Sequence, residues 1–192
     1  MENGDNYFRD GALLAARLAL GASIASHGAQ KLFGWFGGPG PDAASKMMDS
    51  LGFKPGPRYA TMASSTEITS GLLIALGLGG PIGPAMLSSV MTVAAGSVHL
   101  KNGYFNSNKG FELNTIYTIA ALLLASQDYG SLSLDHVIGL RQMNFPALVN
   151  VGAVLAGIAA GLVLLARREK AQPPSTTSQN GTPSHERTPA PA

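Results

Sequence analysis

Six ionisable side chains stand in or beside apolar stretches of this 192-residue chain. Their types suit the binding of a polar headgroup, because carboxyl groups and imidazoles exchange protons and ammonium groups donate hydrogen bonds. An ionisable group inside a membrane span costs at least about 2.5–3.5 kcal/mol, so each of them needs a partner or a function. We therefore predict a substrate-binding site, with no catalytic residue assigned, that is built from Arg17, His27, Lys31, Glu67, His99 and Glu112.

Five apolar stretches must position these side chains, and each is close to the roughly 20 residues that cross a hydrocarbon core. They cover residues 11–26 with a less apolar continuation to 33, then 59–78, 82–100, 111–126 and 145–166. The last stretch has no polar face, which favours a membrane span over a buried soluble helix. Charged residues are only 12% of the chain, whereas soluble domains carry about 25%. The sequence therefore predicts an all-α membrane bundle.

Alternation of the spans predicts where the polar side chains meet. The end of the first span, the start of the second, the end of the third and the start of the fourth lie at one membrane face. The side chains expected to converge there are Gln30, Lys101 and every one of the six except Arg17. The structural alternative is an ion pair between Glu67 and either Arg17 or Lys31, since buried opposite charges must neutralise one another. Arg17 and Lys31 share a helix flank but lie about 21 Å apart along its axis.

Small residues and a short amphipathic segment complete the predicted bundle. Gly21 and Gly28 in the first span and the Gly157/Gly161 pair in the fifth predict close helix packing. The loop 37–58 carries an apolar stripe at helical spacing, which predicts a short helix on the membrane surface. Its members are Ala44, Met47, Met48 and Leu51.

The chain termini and the basic residues predict an orientation. Residues 1–10 read as an N-terminal tail without the basic region of a secretory signal, so the first span is expected to remain as an anchor. Residues 171–192, rich in Pro, Ser, Thr and Gln, read as a disordered tail. Lysine and arginine concentrate in the first loop, the third loop and the segment after the fifth span, whereas the opposite side holds only Arg9 and Arg141. The positive-inside rule then predicts a cytoplasmic C-terminus.

Composition excludes several kinds of chemistry. The absence of cysteine excludes disulfides, thiol catalysis, Cys-ligated zinc and Cys-ligated iron–sulfur clusters. A net charge of +2 without a basic stripe gives no sign of nucleic-acid binding. No metal site is predicted, and His27 and His99 alone are a weak signal for a b-type haem.

Several motifs in a fixed order resemble those of the DoxX family of small bacterial and archaeal membrane proteins, over about residues 12 to 136. These motifs are Arg17 with Gly21, the run 27–34, Leu51-Gly52-Phe53, Glu67 with 70–73, the segments 99–104 and 110–113, and 129–135. The resemblance implies a DoxX-like four-helix membrane domain at 11–136 in a bacterial inner membrane. Residues 137–170 lie outside the usual four-helix pattern of the family, and their apolar stretch predicts a fifth transmembrane helix.

The resemblance also implies a function. The founding family members are subunits of a thiosulfate:quinone oxidoreductase, other members are linked to membrane complexes that handle sulfur-based oxidative stress, and most members have no assigned activity. We expect an accessory membrane subunit with protein partners and surrounding lipid, without a tightly bound cofactor of its own and with quinone as a dissociable candidate. Whether this chain itself turns over substrate, and whether it forms a homo-oligomer, is left open. The alternatives are a scaffold that recruits a soluble redox enzyme and a small-molecule or proton conduit, and the lack of an inverted repeat weakens the conduit.

Overall fold

The computed structural model describes residues 2–140 and 146–169, and all the regular structure in these ranges is helical. The predicted all-α class is therefore confirmed for this part of the chain. The predicted disordered tail and the basic residue Arg141 lie outside the described residues. The α-helices are α1 (Glu2–Phe33), α2 (Gly40–Ser50), α3 (Gly56–Leu76), α4 (Ile82–Ala94), α5 (Glu112–Ala125), α6 (Leu134–Val137) and α7 (Ala147–Arg167).

Beyond Ala94 the helix that begins with α4 continues through one wider turn and then one tighter turn. A π-helical segment covers Ala95–His99, and a 3-10 turn covers Leu100–Asn102. The whole segment 82–102 is thus helical and matches the third predicted span. The α2 helix confirms the short helix predicted in the first loop, and its buried Ala44 belongs to the predicted apolar stripe.

Glycines allow the long helices to approach closely. A Cβ atom on Gly21 would collide with the carbonyl oxygen of Gly71 in α3, and one on Gly28 would lie 2.6 Å from the carbonyl oxygen of Ser64. In the same way a Cβ on Gly157 of α7 would collide with the backbone of α4. The predicted glycine-mediated packing is therefore confirmed for both helix pairs.

The five long helical segments run alternately between two ends of the bundle. We call the end formed by 31–56, 99–112 and 165–169 the Lys31 end, and the end formed by 77–82 and 126–135 the Arg17 end. Backbone hydrogen bonds close each of them: Glu169 N donates to Gly52 O over 2.9 Å at the Lys31 end, and Asp135 N donates to Gly77 O over 3.0 Å at the Arg17 end. Between the ends lies a small core of Ile24, Ile74, Leu87, Met91, Ala121, Leu124 and Tyr129.

Two helices are long and apolar enough to cross a membrane, namely 6–33 and α7. Only 28% and 17% of their apolar windows are buried, so most residues of these windows lie on the surface of the bundle. Helix α5 is apolar but has only 14 residues, and α3 carries Glu67 among serines and threonines. Length and apolarity thus support the first and last of the five predicted spans, and the other three are not established by this criterion.

The N-terminal segment differs from the expected tail. Helix α1 begins at Glu2, so the described residues before position 11 extend the first span. Contacts to the Arg17 end explain the difference, because Arg9 forms a 2.8 Å ion pair with Asp128 and Asp10 accepts a 3.1 Å hydrogen bond from Ser131 N. These partners lie more than 100 residues away along the chain, where local sequence patterns carry no information about them.

Candidate functional site

A buried ion pair joins α1 to α3. Lys31 Nζ lies 2.5 Å from Glu67 Oε1. Glu67 is only 3% exposed, whereas 31% of the Lys31 side chain remains exposed. The other carboxylate oxygen, Glu67 Oε2, is buried and has no hydrogen-bond partner among the described residues. The predicted pairing of Glu67 with a base from the first span is therefore confirmed, with Lys31 as the partner.

The ion pair borders a cavity of about 310 Å³ between α2, α3 and the second half of the α4 segment. Its walls are mostly apolar and include Met47, Met48, Phe53, Tyr59, Val90 and Val93. The ionisable groups that line it are Lys31, Glu67, His99 and the phenol of Tyr59. An apolar pocket of about 300 Å³ or more with a few polar groups is the usual form of a small-molecule site. The volume suits a small organic molecule.

His99 reaches this cavity from the π-helical turn. Its Nδ1 lies 2.7 Å from the carbonyl oxygen of Lys109, to which Asn102 Nδ2 also donates over 3.1 Å. A carbonyl oxygen can only accept, so Nδ1 carries the hydrogen and donates it. The neutral ring therefore keeps Nε2 as a hydrogen-bond acceptor. π-helical turns inside α-helices occur frequently at functional sites.

Two other predicted site residues share the Lys31 end but do not line the cavity. His27 is exposed, with Nδ1 3.3 Å from Gln30 Oε1. Glu112 Oε2 accepts a 2.8 Å hydrogen bond from Asn106 N and so holds the loop before α5. Lys101, which was expected to converge with them, is exposed. The predicted convergence thus reduces to three residues at the cavity, and the others lie around it.

Arg17 lies in the other half of the bundle, away from the Lys31–Glu67 pair, as its position in the first predicted span indicates. Its side chain is fully buried, and Nη2 donates a 2.8 Å hydrogen bond to Leu132 O. The guanidinium also lies over the ring of Tyr129, at 5.7 Å from the ring centre. The reason is the helix rise, because 14 residues between Arg17 and Lys31 separate them by about 21 Å.

The loop after α5 is hydrogen-bonded to the α3–α4 turn at the Arg17 end. Both oxygens of Asp135 accept backbone hydrogen bonds from the α3–α4 turn, at 2.9 Å from Gly79 N and 3.0 Å from Gly80 N. Tyr129 donates its hydroxyl to Gly80 O over 2.6 Å. Burial, and then the negative charge of Asp135, raise the pKa of Tyr129 above its ordinary value, whereas Arg17 lowers it. The phenol therefore stays protonated as a donor and helps to hold the Arg17 end together.

Sequence reasoning missed parts of the cavity wall. Leu164 of α7 lines the cavity, although α7 was expected only as an added span. The methionine stripe of α2 was recognised, but as a membrane-facing surface, and Met47 and Met48 also line the cavity. The apolar period of α2 was the signal available for this wall. Within the described residues no group of three His, Asp or Glu side chains is placed to hold a metal ion.

Comparison with known proteins supports one family. Residues 12–100 match the model of the DoxX family. None of the curated proteins and none of the solved structures matches the chain significantly. The matched segment contains Lys31, Glu67, His99 and all of α2, whereas α5 and α7 lie outside it. Residues 12–100 therefore form a DoxX domain, which together with the two long apolar helices supports a membrane protein.

Proposed function

We propose that the chain is an integral membrane subunit of a quinone- or sulfur-linked redox complex, and that it receives the ring of a quinone-type carrier in the cavity between α2, α3 and α4. The observation that carries this proposal is the cavity of about 310 Å³ with apolar walls and the Lys31–Glu67 pair at its border. Apolar walls suit a lipophilic ring, and the pair supplies the few polar contacts that orient a ligand. The DoxX domain supports the membrane setting.

The chemistry of the pair suits a carrier that gains and loses protons. The Lys31 ammonium has three N–H donors, and one of them faces Glu67 Oε1. The remaining donors can reach a ring oxygen. Glu67 holds this ammonium at the border of the cavity through Oε1. In this proposal the chain holds and orients the carrier, and the electrons come from a partner enzyme of the complex.

The proposed setting is a bacterial inner membrane crossed by five helical segments. Most of the basic side chains of the described residues lie at the Lys31 end, and we therefore place this end and the C-terminus in the cytoplasm. These side chains are Lys31, Lys46, Lys54, Lys101, Lys109, Arg167, Arg168 and, just beyond residue 56, Arg58. The chain has no native cysteine, so single cysteines at the exposed positions Asn108 and Ser126 can test the topology. A membrane-impermeant thiol reagent should label Ser126→Cys from the outside and Asn108→Cys only after the membrane is opened.

A cavity-filling substitution tests the proposed carrier site. Ala63 lines the cavity, whereas Ala160 lies on the exposed face of α7, so Ala63→Phe and Ala160→Phe form a matched pair. After purification in mild detergent, wild type and Ala160→Phe should retain extractable quinone and co-purify with a redox enzyme. We expect Ala63→Phe to keep the partner and lose the quinone. Equal quinone content in all three proteins would contradict the proposal.

The scaffold alternative predicts a different outcome of the same experiment. A chain that only recruits a soluble redox enzyme would keep its partner in every variant and would never contain stoichiometric quinone. Full turnover of the reconstituted complex with Ala63→Phe would then favour the scaffold.

A further inference from the structure

We infer that the loop at 101–111, which we call the Tyr104 loop, anchors the Lys31 end in the membrane interface and binds the phosphate headgroups of anionic phospholipids. The inference goes beyond the proposed function and does not depend on a carrier in the cavity. It rests on the fixed backbone of this loop, on its exposed rings and on its two lysines.

Backbone hydrogen bonds hold the Tyr104 loop in one shape. Phe111 N donates to Gly103 O over 3.2 Å, and Glu112 N donates to Tyr104 O over 2.9 Å. Gly110 allows this close approach, because a Cβ atom at this position would collide with Gly103 O. The loop therefore presents its side chains from a fixed backbone, which lowers the entropy that is lost when a ligand binds.

Two aromatic rings of the loop are exposed. Tyr104 is 45% exposed and Phe105 is 64% exposed, and their ring centres lie 5.4 Å apart in an edge-on contact. The loop leads directly into α5, whose apolar side chains Leu113 and Ile116 are also exposed. A ring with a polar hydroxyl next to a wholly apolar ring suits the boundary between headgroups and acyl chains, where aromatic side chains collect. The edge of a bilayer therefore fits this surface.

The lysines of the loop indicate which headgroups it binds. Lys101 and Lys109 are exposed, and among the residues that the structure describes neither forms an ion pair. The carboxylate of Glu112 is engaged within the loop, since it accepts a 2.8 Å hydrogen bond from Asn106 N. The two lysines stand on adjoining turns, because Asn102 Nδ2 donates to Lys109 O over 3.1 Å. Two unpaired ammonium groups beside exposed rings suit the phosphates of an anionic lipid surface.

Lipid-specific quenching of a single tryptophan tests the inference with the full chain in vesicles. The chain has one tryptophan, so Trp35→Phe combined with Phe105→Trp places the only indole in the loop. The vesicles contain phosphatidylcholine and phosphatidylglycerol in a fixed ratio, and either one lipid or the other carries bromine. We expect phosphatidylglycerol to be enriched about fivefold beside the indole, which is the effect of one lysine at an anionic surface. Counterions screen part of the second charge.

Two double variants of this reporter protein test the lysines. Lys101→Gln with Lys109→Gln should bring the enrichment to within about twofold of none. The matched control is Lys46→Gln with Arg58→Gln, which removes the same charge from exposed sites on α2 and α3. We expect this control to keep the enrichment of the reporter protein.

Each contrary result overturns a stated part of the inference. Equal quenching by the two brominated lipids would overturn the headgroup preference. Quenching by acrylamide in water, but by neither lipid, would place the loop in solvent or against a protein and overturn the anchor. An enrichment that survives in the loop variant, or that is lost equally in the control, would overturn the role of the two lysines. If inorganic phosphate abolishes the enrichment and chloride at the same ionic strength does not, the ligand is free phosphate and the lipid site is refuted. The quinone content of the purified protein is a separate measurement, so the proposed function can fail or stand independently.

Discussion

Removal of the Lys31 ammonium should destabilise the bundle, because it leaves a buried carboxylate alone. Lys31→Met keeps most of the aliphatic stem, but Glu67, at 3% exposure, loses its partner on Oε1. Breaking a fully buried pair in this way costs about 3–5 kcal/mol. Since 31% of the Lys31 side chain is exposed, water screens part of the interaction, and we expect a loss of about 2–3 kcal/mol.

A double-mutant cycle separates the pair from the single groups. Glu67→Gln should cost about 1 kcal/mol, because the lysine that remains reaches water. The double variant should cost less than the sum of the single variants, with a coupling of at least about 1.5 kcal/mol. The free energies can be measured by SDS-induced unfolding in mixed micelles, followed by circular dichroism.

The exposed ion pair between Lys54 and Glu169 gives a control within the same chain. Its Nζ–Oε2 distance is 3.0 Å, but the two side chains are 55% and 63% exposed. Lys54→Met should therefore change the unfolding free energy by about 0.5 kcal/mol or less. If Lys31→Met is as harmless as Lys54→Met, or if the Lys31 and Glu67 variants are additive, the burial of an interacting pair is refuted.

Three further substitutions or titrations test the packing and the Arg17 end. Gly157→Leu should destabilise the bundle by about 1–3 kcal/mol in SDS unfolding, because the leucine side chain would collide with the carbonyl oxygen of Ala85. Wild-type stability of this variant would contradict the α4–α7 contact. Asp135→Asn places an amide N–H against a backbone N–H such as that of Gly80, and a drop in thermal midpoint equivalent to about 1–3 kcal/mol is expected. Burial raises the pKa of Tyr129. The contribution of its protonated phenol to the unfolding free energy is therefore complete below about pH 10 and is lost as the pH rises through the higher pKa of the folded state. An absorbance titration at 295 nm in which every tyrosine ionises together would contradict this.

The parts of the fold that follow from elementary energetics could be predicted from the sequence. Lys31 and Glu67 lie at matched depths in two apolar segments, and opposite charges in a low dielectric must pair with each other to offset their desolvation. Gly21 and Gly157 sit where only a missing side chain allows the backbones to approach. In both cases the physical requirement acts on residue types that are visible in the sequence.

Other features of the fold depend on contact partners that cannot be inferred from residue types. Arg17 is satisfied by the carbonyl oxygen of Leu132 and by the face of Tyr129, and any loop could have offered a carbonyl. The π-helical turn before His99 packs where Leu165 of α7 lies against Gly96. That contact joins segments about 70 residues apart, so no local period in the sequence reports it. The position of His99 at the cavity was predicted from topology, but the tautomer required the contact with Lys109.

The most direct test of the carrier site is photoaffinity labelling with an azido-alkyl quinone, with the full chain in nanodiscs and the labelled peptides identified by mass spectrometry. We expect labels within 43–48, 59–67 and 89–99, which line the cavity, and we expect an excess of unreactive quinone to abolish them. The same labels should be absent in Ala63→Phe. Labels confined to the exposed faces of α5 and α7, and unaffected by competitor, would contradict a quinone site at the Lys31–Glu67 pair.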